Sequence, residues 1–336
     1  MMTMTKKERI QAVIRGEKQD KIPYSFWSHM PGTDLDPEAI AQKTYEFYKQ
    51  YDFDFVKTMN NGMYAVEDFG CTVDYSEIVK GGAAKIVSTP ISGPQDWSKL
   101  TVRPCDQGSL ARELRHLSLV LDKLKGEEVP VLFTVFTPVT IADKVCGGKL
   151  MSYINEGHGQ EVKAALEVIT QTTAQLAAEA IRLGADGIFL ASQMSTYDKC
   201  STQQYLEYGR PYDIQVLEAA KGGWMNTIHC HGNHIIFQVL KDYPVQIFNW
   251  HAWETFPDLD EARALTGKCL MGGLNRTDIT NRNFGAIQNQ IYRSFQMTGG
   301  RNLILTPGCV IRYPLDDEML AFIGAARNEI EEICHF

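Results

Sequence analysis

No stretch of this chain stays apolar for anything near the roughly 20 residues that a membrane helix needs, so a membrane-spanning role is not expected. No Cys-x-x-Cys occurs, and the eight cysteines are scattered singly. That excludes a dense disulfide framework and leads us to expect a reducing, cytoplasmic setting. No basic block appears, and the formal net charge is −8, so nothing here could neutralise a run of phosphates and nucleic acid is not an expected partner. The segment from Met1 to Arg15 lacks an apolar centre and reads as an amphipathic helix, not a signal peptide. Internal repeats and low-complexity tracts are also missing.

What the 336 residues do contain is ample core, with 44% hydrophobic and 22% charged side chains, arranged in a regular grammar. Short apolar runs alternate with helical patterns. The runs predict eight strands: Pro23–His29, Phe53–Met59, Val129–Thr137, Asp186–Ser192, Met225–His231, Val245–Trp250, Cys269–Leu274 and Asn302–Leu305. The helical patterns are Asp36–Tyr51, Ser109–Lys125, Gly159–Leu183, Thr202–Gly222, Asp258–Thr266, Asn283–Thr298 and Asp316–Cys334. Strands separated by helices pair in parallel through right-handed crossovers. Eight such units without a linker predict an α/β (β/α)8 TIM barrel, which needs about 250 residues, as a single domain over residues 1–336. The surplus falls between the second and third strands. There Gly62 to Leu100, with Gly70, Gly81-Gly82, Pro90 and Gly93-Pro94, reads as an inserted β-hairpin excursion.

A barrel places its chemistry at the C-terminal strand ends. Those ends carry His29, Asn60 and Asn61, Thr137, Ser192 and Gln193, His229 and His231, Trp250 and His251, Asn275, and Cys309. Two of them stand out. In Thr227-Ile228-His229-Cys230-His231-Gly232 the alternation of a strand sends His229 and His231 to one face and Cys230 to the other. In Leu303-Ile304-Leu305-Thr306-Pro307-Gly308-Cys309, a Pro-Gly turn mounts a cysteine. Two imidazoles, one thiolate and one open position describe a catalytic zinc site. The fourth ligand is left open among water, Glu67, His251 and substrate. Glu67 and His251 are also candidates for acid or base work. His29, Asn60, Asn61, Ser192, Gln193, Trp250 and Asn275 are candidates for substrate contact. The bland reading stays beside the sharp one: each histidine could be a satisfied loop residue, Glu67-Asp68 a solvated pair, and Phe26, Trp27, Tyr64, Trp250 and Trp253 rim packing instead of an aromatic pocket. His234 reads as a cap or supporting group. Gly272-Gly273 permits close approach by a ligand or by a neighbouring loop.

Several of these stretches resemble the uroporphyrinogen decarboxylase superfamily over nearly the whole chain. They are Thr5-Lys6-Lys7-Glu8-Arg9 through Pro23, Gly184-Ala185-Asp186-Gly187-Ile188, the Asp258–Arg263 helix, Leu270-Met271-Gly272-Gly273-Leu274 and Pro307-Gly308-Cys309. The resemblance implies a (β/α)8 barrel. It also implies one of two branches, tetrapyrrole decarboxylases or corrinoid-linked methyltransferases. The decarboxylases carry an Arg-rich stretch after the first strand, where this chain has Tyr24-Ser25-Phe26-Trp27-Ser28-His29-Met30-Pro31-Gly32 with no arginine. They have an aspartate after the second strand, where Asn60-Asn61 stands, and a final Gly-His-Gly turn, where Pro307-Gly308-Cys309 stands. An acidic porphyrinogen would find no guanidinium partners in that loop.

The methyltransferase branch holds zinc with a His-x-Cys pair on the fifth strand and a cysteine in the last turn. His229 and Cys309 match, and His231 replaces the middle cysteine. One thiolate with two neutral imidazoles leaves the site formally at about +1, which favours Lewis acidity over thiolate activation. The resemblance therefore implies methyl transfer between a small methoxy compound or methanol and a separate corrinoid-carrying protein, with zinc and a methyl-corrinoid as cofactors. A thiol acceptor is the near variant. Tetrapyrrole decarboxylation and a non-catalytic ligand-binding barrel are the rival classes. The oligomeric state is open, with a homodimer among the options.

Overall fold

The computed structural model describes residues 3–78 and 84–333. Nine strands occur among them: β1 (Val56–Lys57), β2 (Thr72–Asp74), β3 (Lys85–Ser88), β4 (Val131–Phe136), β5 (Gly187–Ser192), β6 (Thr227–Cys230), β7 (Ile247–Trp250), β8 (Cys269–Leu274) and β9 (Leu303–Pro307). Seven of them form one sheet in the order β1-β4-β5-β6-β7-β8-β9. Every pairing in it is parallel. Helices lie between successive strands, so the chain has the TIM-like α/β architecture that its alternating pattern predicts.

Seven of the eight expected strands are present, some shortened. The run Pro23–His29 is the exception, because it forms isolated bridges at Tyr24 and Ser28 rather than a strand. Leu305 donates to Pro23 O at 2.8 Å, Ser25 donates to Leu305 O at 3.2 Å, and Asp54 donates to Tyr24 O at 2.9 Å. Side chains take the remaining places in the ladder: Tyr24 N–H donates to Asp54 Oδ2 and the Ser25 hydroxyl to Phe55 O, both at 2.8 Å. Carboxylate and hydroxyl thus do the work of backbone partners, and regular pairing stops.

Local chemistry sets the helix ends. Thr5 and Glu8 form a capping box on Lys6–Ile14, and Asp36 caps Pro37–Tyr51. The helix Gly159–Leu183 stops at Gly184, which is left-handed. The helical pattern Thr202–Gly222 is in fact two helices, Thr202–Tyr208 and Arg210–Ala219. The break falls at Gly209 ahead of Pro211, whose missing N–H suits a first turn. A helix absent from the sequence reading, Pro138–Val145, starts directly after β4. Within Gly62–Leu100, β2 pairs antiparallel with β3; Gly81-Gly82 lies outside the described residues.

The register assigns faces. In a parallel sheet, side-by-side residues point the same way. Ala191, His229 and Asn249 are aligned in one row, and Ser192, Cys230 and Trp250 in the next. The first row faces the enclosed side of the sheet and the second faces the helices. Ser192 Oγ meets the Tyr205 hydroxyl at 2.9 Å, and Tyr205 and Tyr243 both donate to Asp213, all in the helical layer. Trp250 donates to Pro257 O at 3.0 Å and packs edge-on against Phe237. Neither can contact a substrate at the strand ends, contrary to the expectation for both. Cys230 is fully buried in the same layer.

Candidate metal centre

Four side chains from three strand ends converge. His229 is on β6 and His231 one residue past it; His251 follows β7; Cys309 follows β9. One ligand atom from each lies within 4.8 Å of all the others, a set that could hold a metal ion. Cys309 Sγ is 3.7 Å from His229 Nε2 and 3.6 Å from His231 Nδ1. A tetrahedral zinc with ordinary Zn–N and Zn–S bonds has nitrogen–sulfur edges of about 3.6 Å. Both His251 ring nitrogens are buried without a hydrogen-bond partner, as expected of a ring whose lone pair is meant for a cation. The donor set, the edge lengths and the orphaned ring all fit zinc.

Electrostatics keep the imidazoles in their ligating, neutral form. Burial pushes His231 down to about 4, helped by the positive charges of Arg276 and Lys144. Burial pushes His251 to about 3, with His231 and Arg276 adding to it, and holds His229 well below its ordinary value. Burial raises the Cys309 thiol, against the pull of Arg276 and Lys57. A metal would therefore have to displace the thiol proton on binding.

The sequence reading missed the residue that orients His229. Asn249 donates through Nδ2 to Met271 O at 2.8 Å, which fixes its amide so that Oδ1 faces His229. Oδ1 lies 2.5 Å from His229 Nδ1, so Nδ1 must carry the proton and Nε2 must present its lone pair toward Cys309. Replacing Asn249 with Leu is expected to weaken zinc affinity about 10- to 100-fold while leaving the fold intact, which competition with a chelating dye would measure. Unchanged affinity would deny Asn249 that role.

The Pro-Gly turn before Cys309 works by close approach. A Cβ on Gly308 would lie 2.7 Å from His251 Cα and 2.8 Å from Trp250 O. Only glycine lets this turn press against the end of β7 and bring sulfur to imidazole. Of the Gly272-Gly273 pair, Gly273 serves the neighbouring helix, because a Cβ there would meet Ser294 Oγ at 2.7 Å, whereas a Cβ on Gly272 would make only ordinary contacts.

The other candidate residues lie elsewhere or are engaged. Glu67 accepts from Tyr75 at 2.6 Å and from Arg112 at 2.8 Å and is not in the cluster. Asp68 takes the Ser109 and Leu110 N–H groups and caps the helix Gly108–Lys123. Asn60 is buried, bonded to Thr58 and Glu113. Asn61 accepts from Met63 N and Tyr75, and its buried Nδ2 is left without a partner. Asn275 caps the helix Arg276–Thr280. Those roles explain why polar residues stand at these strand ends without forming one site. His29 is half exposed, 3.9 Å from Asp34, and His234 pairs with Asp198 on the surface. Gln193 lines a cavity of about 780 Å³ together with Met63, Thr140, Lys144 and Met194. Of the five aromatic candidates, Trp27 approaches the centre: its ring is 5.7 Å from Phe189, which stacks on His229 at 5.2 Å. Two charged neighbours had no sequence signal. Glu254 lies 3.5 Å from His251 Nδ1 and 3.6 Å from Arg276 Nε, bridging them.

Known proteins agree with this architecture. A methyltransferase structure from Methanosarcina mazei superposes with a TM-score of 0.86 at 19% identity, over 97% of this chain and 99% of that one. A B12-independent methionine synthase from Shewanella sp. W3-18-1 gives 0.55 at 14% identity, over 93% of each chain. A putative vitamin-B12 independent methionine synthase from Listeria monocytogenes gives 0.57 at 11% identity, over 93% of this chain and 99% of that one. At such identities the likeness is one of fold. Comparison with curated protein sequences gave no match. The family model for uroporphyrinogen decarboxylase (URO-D) matches residues 5–330, and the chain belongs to that family.

Proposed function

We propose that the chain is a zinc-dependent methyltransferase moving a methyl group between a small methoxy compound or methanol and a corrinoid-carrying protein. The observation that carries this reading is the cluster of His229, His231, His251 and Cys309, with sulfur–nitrogen separations of 3.6 and 3.7 Å. The fold shared with a methyltransferase is in line with it. Bound zinc would supply Lewis acidity toward the heteroatom that releases or accepts the methyl group. The chain's own residues do the rest. Asn249 holds His229 in one tautomer, Gly308 lets Cys309 reach the imidazoles, and Glu254 sets a carboxylate 3.5 Å from His251 Nδ1. A third neutral imidazole leaves the formal charge at about +1, so the preference for an oxygen donor over a thiol acceptor stands. Thiol methylation is the second reading. In this account Pro23–His29 serves as the eighth stave between β9 and β1. The whole of 1–336 acts as one domain in the cytoplasm, and β2–β3 is an excursion from it.

Methyl transfer to reduced cobalamin from methanol and methoxyaromatics, and from methylcobalamin to simple thiols, assayed on zinc-loaded protein, tests the reading. Turnover with an oxygen donor that depends on zinc is the expected result. Loss of carbon dioxide from uroporphyrinogen with no methyl transfer would overturn it.

A further inference from the structure

The seven parallel strands contain a single Lys, Arg, Asp or Glu, and it is Lys57 of β1. It is buried, with 6% of the residue exposed. Its ammonium donates to Thr134 Oγ1 at 2.9 Å; its other neighbours are Met59 Sδ at 3.3 Å and Thr58 O at 3.5 Å. None of these is a carboxylate; the thioether sulfur is a weak acceptor and the carbonyl contact is long. The ammonium lies 4.5 Å over the Phe189 ring and 5.5 Å over the Trp27 ring. Phe189 in turn stacks on His229, so the cation sits one ring away from the cluster. A buried charge without a counter-ion costs the folded chain heavily.

Apart from the Cys309 thiolate, which favours the charged form, the surroundings do not relieve it. Arg276 reaches the cluster from the end of β8 and shares Glu254 with His251. Lys144 donates to Gly62 O at 2.7 Å and lies over Phe136. Arg276, Lys144 and Lys57 all act on the ligating side chains, against Glu254 alone. A chain of net charge −8 has thus gathered positive charge about one centre. Field of that sign, in a low-dielectric enclosure, concentrates anions.

We propose that the small molecule handled here carries a carboxylate, and that Lys57 is the residue that binds it. Trp27 and Phe189 cover the ammonium, packed edge to face with centroids 5.7 Å apart, and offer an apolar wall along which the body of such a molecule would lie. The inference rests on the methyl-transfer reading for the other end of the substrate, but its test does not need turnover. Calorimetric titration of the full chain would compare 4-methoxybenzoate with the neutral 4-methoxybenzyl alcohol, with and without zinc. The wild type should prefer the carboxylate by about 10- to 100-fold in both states, the range of a charge-assisted contact. Lys57→Met and Lys57→Gln should abolish the preference, keep wild-type zinc content, and melt at a higher temperature than the wild type without ligand. Equal binding of both probes by the wild type would overturn the proposal. So would a preference that survives both substitutions, or one that is lost when zinc is removed, which would place the anion on the metal. Methyl transfer that fails while the Lys57-dependent preference persists would sink the activity and leave this site standing.

Discussion

Replacing Cys309 with Ala should take zinc from about one per chain to near zero, the largest single effect expected of any substitution in this protein. Sulfur is the only anionic donor in the cluster. Without it, three neutral imidazoles must hold a dication unaided, inside a region that already gathers Arg276, Lys144 and Lys57. Loss of His229 should come close, because its ring is buried and held through Nδ1 by Asn249 so that Nε2 faces the cluster. Replacement of His231, which is partly exposed, should cost less, since water can enter. His251→Ala should retain zinc at reduced affinity, because the thiolate and two imidazoles remain and the charge on sulfur offsets the surrounding cations. Elemental analysis after dialysis checks the order. Stoichiometric zinc in Cys309→Ala would remove sulfur from the account.

The second large effect falls on a residue with no chemistry of its own. Gly308→Ala puts a methyl group against His251 Cα and Trp250 O, both backbone atoms at contact distances no Cβ tolerates. Backbone cannot rotate aside as a side chain can, so the turn and β7 must separate. Overpacking of this kind costs about 1–3 kcal/mol. The same movement carries Cys309 Sγ away from His229 and His231, and zinc affinity should fall at least about tenfold, or ~1.4 kcal/mol. Urea unfolding and a zinc titration of the one variant read both effects. Unaltered stability with unaltered affinity would mean that the close approach is not what mounts the cysteine.

The sequence made the sheet and three of the clustered residues legible for one reason: alternation along strands is a rigid rule. His229 and His231 had to share a face, and strand ends had to share a mouth. The same rule, carried across the sheet, would have excluded Ser192 and Trp250, which lie level with Cys230. It would also have found Asn249, level with His229 and polar inside an apolar strand. Register between strands is a tertiary fact, however, and a single chain does not print it. Glu254 sits in the loop after β7 and Arg276 opens a five-residue helix after β8, both too short for periodicity to mark. Lys57 reads as an ordinary strand-end cation until the rings of Trp27 and Phe189 close over it. Pro23–His29 looks like a strand because it is apolar, yet Asp54 takes over part of its pairing.

X-ray absorption at the zinc edge of the metal-loaded protein tests the central claim most directly. The account predicts one sulfur at about 2.3 Å and imidazole nitrogens at about 2.0–2.1 Å, with the sulfur contribution gone in Cys309→Ala. A shell of oxygens with no sulfur would contradict it.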